Sequence, residues 1–534
     1  MLKEYIVSLN KDVDYDAFWH EIETNGSGST YVPIRSVDIL NVRPLTQRAC
    51  HYALTDEEAE KLRNDDRVSS VEIPPSQRDD VTKKPFATQT GIYSKLTDTP
   101  NQNWVNWGLP RLSARINNTP NTTGNFTYDY IVDGTGVDYI IQDSGLQCDH
   151  PDFFDANGVS RVQKIDWWTE AGQTGNPPWY PDIGEAGMPV GFYTDTEGHG
   201  THVCGLSAGK TYGRAKNSKI YVMKIDGLGG TGGIDDILSF ELITAWHYYK
   251  PIDPITGFRR PTVVNMSWGY TGAFVNINGG NYRGTNWLGN TRQPQYGMVG
   301  PYFGVRVNSV DIVVEDCLDF GVVLVSAAGN DNIAIDVPGG ANYNNYFNST
   351  TQGARYYMRG ATPCVSSEVI CVGSVDNVYT PGVPGNKEQK ASYSDSGPRV
   401  DVFAPGTFVV STISNVYEPG FAQAPYGVNT YPYNTNFKIA NIQGTSMASP
   451  NVAGIVAQLL QIYPGETPAQ IRQRVIDLST FNVLYSTGST TDYAVTNSLH
   501  GAPNRYAFYE YSPATTSSFI ATGAIEMNNT TITT

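Results

Sequence analysis

Apolar positions two apart over residues 3–9, KEYIVSL, predict a strand buried on one face. Polarity then changes period: in DYDAFWHEIE, Phe18 and Ile22 stand four apart, the spacing of a helix face. A second helix is predicted from LTDEEAEKLRNDD, where Thr55 and Glu58 have capping-box spacing, and the short strand RVSSVEI follows. Strands flanking two helices make residues 1–75 a small α+β module. The polar run that follows, with PPSQRDD and TKKPFATQTG, predicts a linker over residues 76–102 that is open to proteolysis. From Asn103 the pattern becomes GVDYIIQDSG, SKIYVMKID, TVVNMSWG, GVVLVSAAGN and SEVICVGSVD, separated by helical segments. Continuous Val/Ile-rich strands of this kind predict an α/β domain over 103–510, a parallel central sheet with helices on both faces. Chemistry in such a sheet belongs at the carboxyl ends of its strands. The stretches 275–304 and 338–360, rich in Asn, Gly and Tyr, read as loop insertions, and residues 511–534 as a Thr-rich tail.

Charge and composition narrow the class. Lys and Arg number 36 against 52 Asp and Glu, a net charge of −16 with no basic stripe, which excludes a nucleic-acid-binding surface. The longest apolar runs, GVVLVSAAG and VAGIVAQLL, fall well short of the about 20 residues that cross a bilayer, so no membrane partner is expected. MLKEYIVSL has no long apolar core or small-residue cleavage site, so no signal peptide is recognised. Six cysteines, at 50, 148, 204, 317, 364 and 371, are too sparse for a disulfide framework. A Cys364–Cys371 pair and buried thiols both remain open.

Candidate chemistry sits in three places. QGTSMASPNVAG, residues 443–454, sets a serine before a helical apolar run, and by itself Ser446, Thr445 or Ser449 serves equally well as an N-cap, with Pro450 in the first turn. EGHGTHVCGLSAG holds His199 and His202 three apart on one helix face, so spacing does not choose between them. Asp143 closes the strand VDYIIQD and is followed by Ser-Gly.

Taken together, the DSG, GHGTHVCG and GTSMASP segments, in the order Asp, His, Ser, resemble the signatures of the subtilisin-like serine peptidases, closest to the proteinase K branch. The resemblance implies Ser446 as nucleophile, His199 as general base and Asp143 as the group that orients the imidazole. It implies Asn330, at the end of SAAGN, as an oxyanion donor beside the Ser446 backbone N–H. LGGTGG resembles the substrate-binding edge, through Gly230, Thr231 and Gly232, and NMSWG the opposite side, through Ser267, Trp268 and Gly269; pairing on both is strand addition. Residues 1–75 resemble the family's inhibitor-type propeptide, making the chain a self-inhibited precursor that processes itself. WGLPRL at 107–112 resembles the start of the mature enzyme, and LHGAPNRYAF at 499–508 its end. The partners implied are polypeptide substrates and the chain's own propeptide; no cofactor is needed for the chemistry, although structural calcium is implied as an option. Location is either extracellular or in a virus particle.

Two rival readings use the same residues. Cys148, Asp149, His150, His199, His202 and Cys204 have metal-ligand chemistry in two short clusters, but HxxH without a glutamate is a weak signal and Cys204 matches a buried thiol of the family, so no metal is expected. The other rival is a catalytically silent structural or interaction protein on the same fold.

Overall fold

The structure is a computed structural model, and it describes residues 2–10, 13–23, 49–73, 87–119, 123–254, 256–377, 388–423, 426–486 and 498–510. By contact the chain forms two units, divided between Phe86 and Ala87.

In the first unit, Lys3–Leu9 lies between Ala49–Leu54 and Val68–Glu72, antiparallel to both. Alternation along the central strand sends Tyr5, Val7 and Leu9 inward, where they meet Phe18, Trp19 and Ile22 of the helix Tyr15–Glu23. The second helix, Asp56–Arg63, begins with the expected capping box: Glu58 N donates to Thr55 Oγ1 at 3.2 Å and Thr55 N to Glu58 Oε2 at 2.8 Å. Ala59 and Leu62 of this helix complete the core.

The second unit is built on nine strands, of which the expected five are neighbours in the order Ile370–Val375, Val323–Ala327, Thr262–Met266, Asp138–Asp143, Lys219–Lys224, all parallel. Every residue of Asp138–Asp143, Thr262–Met266 and Val323–Ala327 is buried, which is why these strands read as apolar runs without alternation. Within this nine-stranded sheet, among the described residues, only the edge strand Thr480–Phe481 is antiparallel to its neighbour. Helices His199–Ala208 and Thr445–Ile462 pack against each other, the latter crossing four central strands, while Asp236–Tyr249 and Asn308–Asp319 form a second packed pair.

Three expectations are corrected here. The segment 87–94, assigned to a linker, is a strand: Ala87–Ser94 pairs antiparallel with Thr123–Tyr130 over its whole length and parallel with Trp104–Val105. It belongs to the second unit, tied further by Gln89 Nε2 to the Thr211 carbonyl at 2.9 Å and by Lys95, buried with its ammonium 4.2 Å from the centre of the Trp107 ring. The catalytic-type domain therefore starts at Ala87 rather than Asn103, and the rest of the expected linker, residues 76–86, lies outside the described residues, as does the tail 511–534.

The two insertions, read as loops, fold with each other. Thr285–Trp287, Ile277–Tyr282, Tyr346–Ser349 and Gly353–Tyr356 form a four-stranded antiparallel sheet in that order. Ile277, Trp287 and Phe303 from the first insertion meet Phe347, Tyr357 and Met358 from the second in one small core. Neither segment has enough apolar side chains to bury a face alone, so the lobe exists only as a pair.

Lastly, Pro450 does not stand in a first helical turn. The helix begins at Thr445, with Gly444 as its N-cap, so none of the three hydroxyl residues caps it and the proline lies in its second turn.

Candidate active site

Asp143 ends its strand with its carboxylate fully buried. One oxygen, Oδ1, accepts from Ser144 N at 2.7 Å and lies 2.8 Å from His199 Nδ1. This close approach depends on glycine: a Cβ on Gly200 would stand 2.2 Å from the Gly145 carbonyl oxygen, and one on Gly145, at φ +120°, would stand 2.0 Å from that of Thr194. The DSG and HGTH segments thus meet backbone to backbone.

His199 is the first residue of its helix and His202 lies one turn on, but their surroundings differ. His202 is fully buried, its Nε2 3.0 Å from the Ala440 carbonyl, and burial pushes its pKa down to about 3. It is a core histidine. His199 is part-exposed; burial works against its charge, yet the Asp143 carboxylate, by field and hydrogen bond, raises its pKa to about 9. The helix start is fastened by Asp195, a residue sequence reasoning missed. Its buried carboxylate accepts from Gly198 N at 2.8 Å, Thr201 N at 2.9 Å and Thr201 Oγ1 at 2.6 Å, and from Ser144 Oγ at 3.1 Å. An Asp shortly before a glycine-led helix is the available signal.

Ser446, half-buried at the start of its helix, donates from Oγ to the Ser267 carbonyl at 3.2 Å, so the hydroxyl is turned onto backbone rather than onto the imidazole. The bond is reciprocated. Pro450 has no N–H for the Ser446 carbonyl four residues earlier, and that carbonyl accepts instead from Ser267 Oγ at 2.9 Å. Ser267 Oγ in turn accepts from Asn265 Nδ2 at 2.9 Å, and Asn265 Oδ1 from Ser449 Oγ at 2.8 Å. The serine helix is thereby buttoned to the end of the strand Thr262–Met266.

Asn330 follows the strand Val323–Ala327 and is exposed. Its Oδ1 accepts from Thr445 N at 2.9 Å and Thr445 Oγ1 at 3.0 Å, while Thr445 Oγ1 accepts from Gly329 N at 3.2 Å. Its oxygen is thus committed to Thr445, and its Nδ2 lies on the side of Gly444, 3.6 Å from where a Cβ on that glycine would stand. Asp395, fully buried, supports the next turn through Oδ1, which accepts from Asp331 N at 3.0 Å and Ile333 N at 2.8 Å; burial raises its pKa to about 8.

Of the substrate-binding residues, Ser267–Gly269 runs straight on from the strand Thr262–Met266, with Gly269 exposed beside Ala361 and Trp268 Nε1 donating to Gln142 Oε1 at 3.3 Å. Gly230, Thr231 and Gly232 do not form an extended edge. Gly230 has φ +73° and Gly232 φ +86°, within a turn where a Cβ on Gly232 would stand 2.3 Å from the Val190 carbonyl oxygen. Two-sided strand pairing is therefore not preformed on this side.

The residues of the metal rival do not converge. His150 Nε2 faces the Lys438 carbonyl at 3.2 Å, and among the described residues there is no group of three or more His, Cys, Asp or Glu that could hold a metal ion. Cys148, Cys204, Cys317, Cys364 and Cys371 are all free and buried, so Cys364 and Cys371 are not paired; burial raises the Cys204 thiol well above its ordinary pKa. No helix among the described residues is long and apolar enough to cross a membrane.

The sequence profile of the subtilase family matches residues 134–508. The chain belongs to the subtilase family. It is 24% identical over 450 residues to a cuticle-degrading serine protease of Arthrobotrys oligospora, an alignment covering 84% of this chain and 76% of that one. To an extracellular serine proteinase of a Thermus species it is 25% identical over 442 residues, covering 83% and 73%. A third relative is the subtilisin-like serine protease Pen c 2 of Penicillium citrinum, 25% identical over 395 residues and covering 72% and 63%. This subtilase is a serine endopeptidase acting on polypeptides, as its family and relatives indicate. Virus-particle association gains no support from these relatives.

Proposed function

We propose that this subtilase cleaves peptide bonds through Ser446, His199 and Asp143 by way of an acyl-enzyme. The observation that carries this reading is the 2.8 Å contact of Asp143 Oδ1 with His199 Nδ1, which leaves Nε2 as the ring's basic nitrogen. In this reading Ser446 Oγ leaves the Ser267 carbonyl and turns to that base when substrate binds, since catalytic hydrogen bonds commonly tighten only then. His199 takes the proton as Oγ attacks and returns it to the leaving amine, while Asp143 holds the tautomer and stabilises the cation. Asn330 Nδ2 and the Ser446 N–H, an orphan donor at the start of a helix, bind the oxyanion.

Substrate lies extended along Ser267–Gly269, with the Gly230–Gly232 turn as its opposite bank. Small residues around Gly269, Ala361 and Ala327–Gly329 favour an apolar or aromatic side chain in the first pocket. Residues 1–75 act as a propeptide that inhibits the enzyme until self-cleavage, and the mature enzyme works outside the cell, with structural calcium an option carried by the family.

Labelling by a serine-reactive fluorophosphonate tests the centre. The native protein is expected to label, heated protein and Ser446→Ala are not, and Ser446→Ala should remain an uncut precursor. Peptide hydrolysis or normal processing in that variant would overturn the assignment.

A further inference from the structure

Glu197 stands two residues before the histidine, at the N-terminal side of the helix His199–Ala208. Its Oε2 accepts from His199 N at 2.6 Å, so one oxygen satisfies a free donor of the helix start. The backbone holds it there: Glu197 N donates to Asp195 Oδ1 at 3.2 Å, and the Glu197 carbonyl accepts from Glu418 N at 2.9 Å. On its other side the chain arm touches the glycine segment, since a Cβ on Gly229 would lie 3.0 Å from Glu197 Cγ. The carboxyl therefore stands between the histidine and the Gly229–Gly232 bank of the cleft.

Capping needs one acceptor oxygen and no charge. Oε1 is left over, the side chain is half-buried, and among the described residues no lysine or arginine pairs with it. A substrate bound as an extended strand supplies what is missing. Successive side chains of a strand point to opposite faces. With the residue before the scissile bond directed into the pocket beside Gly269 and Ala361, its predecessor points the other way, toward His199 and Gly229.

We infer that Glu197 is a specificity-determining residue that selects a lysine or arginine at the second position before the scissile bond. A charge-assisted bond from the substrate's cation to the unused carboxylate oxygen would be made there, in a place partly shielded from water. The inference rests on the cleft reading given above and adds a preference that a neutral residue at position 197 would lack.

The test is a series of peptides sharing an aromatic residue at the cleavage position and carrying Lys, Arg, Ala or Glu before it, assayed in buffer alkaline enough to ionise a carboxyl that burial raises to about 7. In the native enzyme kcat/KM for Lys and Arg should exceed that for Ala by about tenfold, the scale of one charge-assisted bond, with Glu poorest. Added salt should compress the series. Glu197→Gln keeps an acceptor for His199 N and removes only the charge, so the ratio of Lys to Ala should fall to about one; a purely structural role would change both substrates alike. A native series without a basic preference, or a Glu197→Gln series that keeps it, overturns the inference. Because the native series alone can refute it, poor folding of the variant does not shelter it. If no peptide is cleaved at all, it is the peptidase site that fails instead.

Discussion

Thr445→Val isolates the device that aims Asn330. The substitution keeps shape and the Thr445 N bond to Asn330 Oδ1 at 2.9 Å, but deletes the Oγ1 bond at 3.0 Å and the acceptor for Gly329 N at 3.2 Å. Loss of one of two restraints on the amide costs about 0.5–1.5 kcal/mol of ordering, which predicts a fall in kcat of about 2- to 12-fold. Removing an oxyanion donor outright costs about 10²–10³ in kcat, a magnitude taken from subtilisin itself, so Asn330→Ala should be far worse than Thr445→Val. In both variants KM should hardly move, since the proposed interaction is made with the oxyanion and not with the ground-state carbonyl. Gly329 N, left without a partner, should also cost about 1–3 kcal/mol of stability, read as a lower denaturation midpoint. Thr445→Ser restores the hydroxyl and should restore most of kcat. The double variant Asn330→Ala/Thr445→Val should lose no more rate than Asn330→Ala alone, because Thr445 acts through the amide. A full additional loss in the double variant, or a Thr445→Val defect expressed only in KM, would refute this reasoning.

Three further outcomes follow from groups around the same site. The proposed base, His199, can accept a proton only when neutral, and Asp143 holds its pKa up to about 9 against 6.5 for the free group, so kcat/KM should climb through that alkaline range; Asp143→Asn should move the limb downward, and a native midpoint at or below 6.5 would contradict it. The sign for stability is opposite: the protonated pair contributes fully below about pH 6.5, and that contribution is lost as pH rises through about 9. Asp395 has a pKa raised from 3.8 to about 8, so the folded state holds a proton that the unfolded chain releases, and stability drains as pH rises across that window. Asp395→Asn keeps an Oδ1 acceptor for Asp331 N and Ile333 N, so its stability relative to the native chain should grow from acid to neutral pH and level off above about 8; denaturant midpoints with a pH-independent difference would disprove this. Because Ala87–Ser94 is woven into the larger unit, N-terminal sequencing of active enzyme should find a start before Ala87, and a start at Asn103 or later would show that this strand is dispensable.

Much of the fold is legible because burial on both faces erases alternation. Tyr139–Ile141, Val263–Val264 and Val323–Val325 announce their strands as apolar runs, and the end of one such strand locates Asp143. Their lateral order is a different matter. It is set by crossovers, which carry no local signal, and so the neighbours Asp138–Asp143 and Thr262–Met266 are joined through residues 144–261 without any mark in the sequence. Partnership hides the rest: ATQTGIYS becomes a strand only because Thr123–Tyr130 accepts it, and the Asn- and Gly-rich insertions bury Trp287 and Phe347 only against one another.

The site shows the same division between residue type and partner. Motif spacing leaves His199 and His202 equivalent; the Ala440 carbonyl and the Asp143 carboxylate separate them. Pro450 is the sharpest case. Read locally it is a helix residue tolerated near a terminus, yet with the helix starting at Thr445 it stands where its missing N–H should leave a carbonyl unpaired. That carbonyl belongs to Ser446, and the vacancy is filled by Ser267 Oγ at 2.9 Å. A defect in one helix thus becomes the joint between the serine and the strand end along which substrate is proposed to lie. Replacing Pro450 by alanine would let the helix bond to itself and release Ser267, which is why a proline that looks costly in isolation is consistent with a serine held in register.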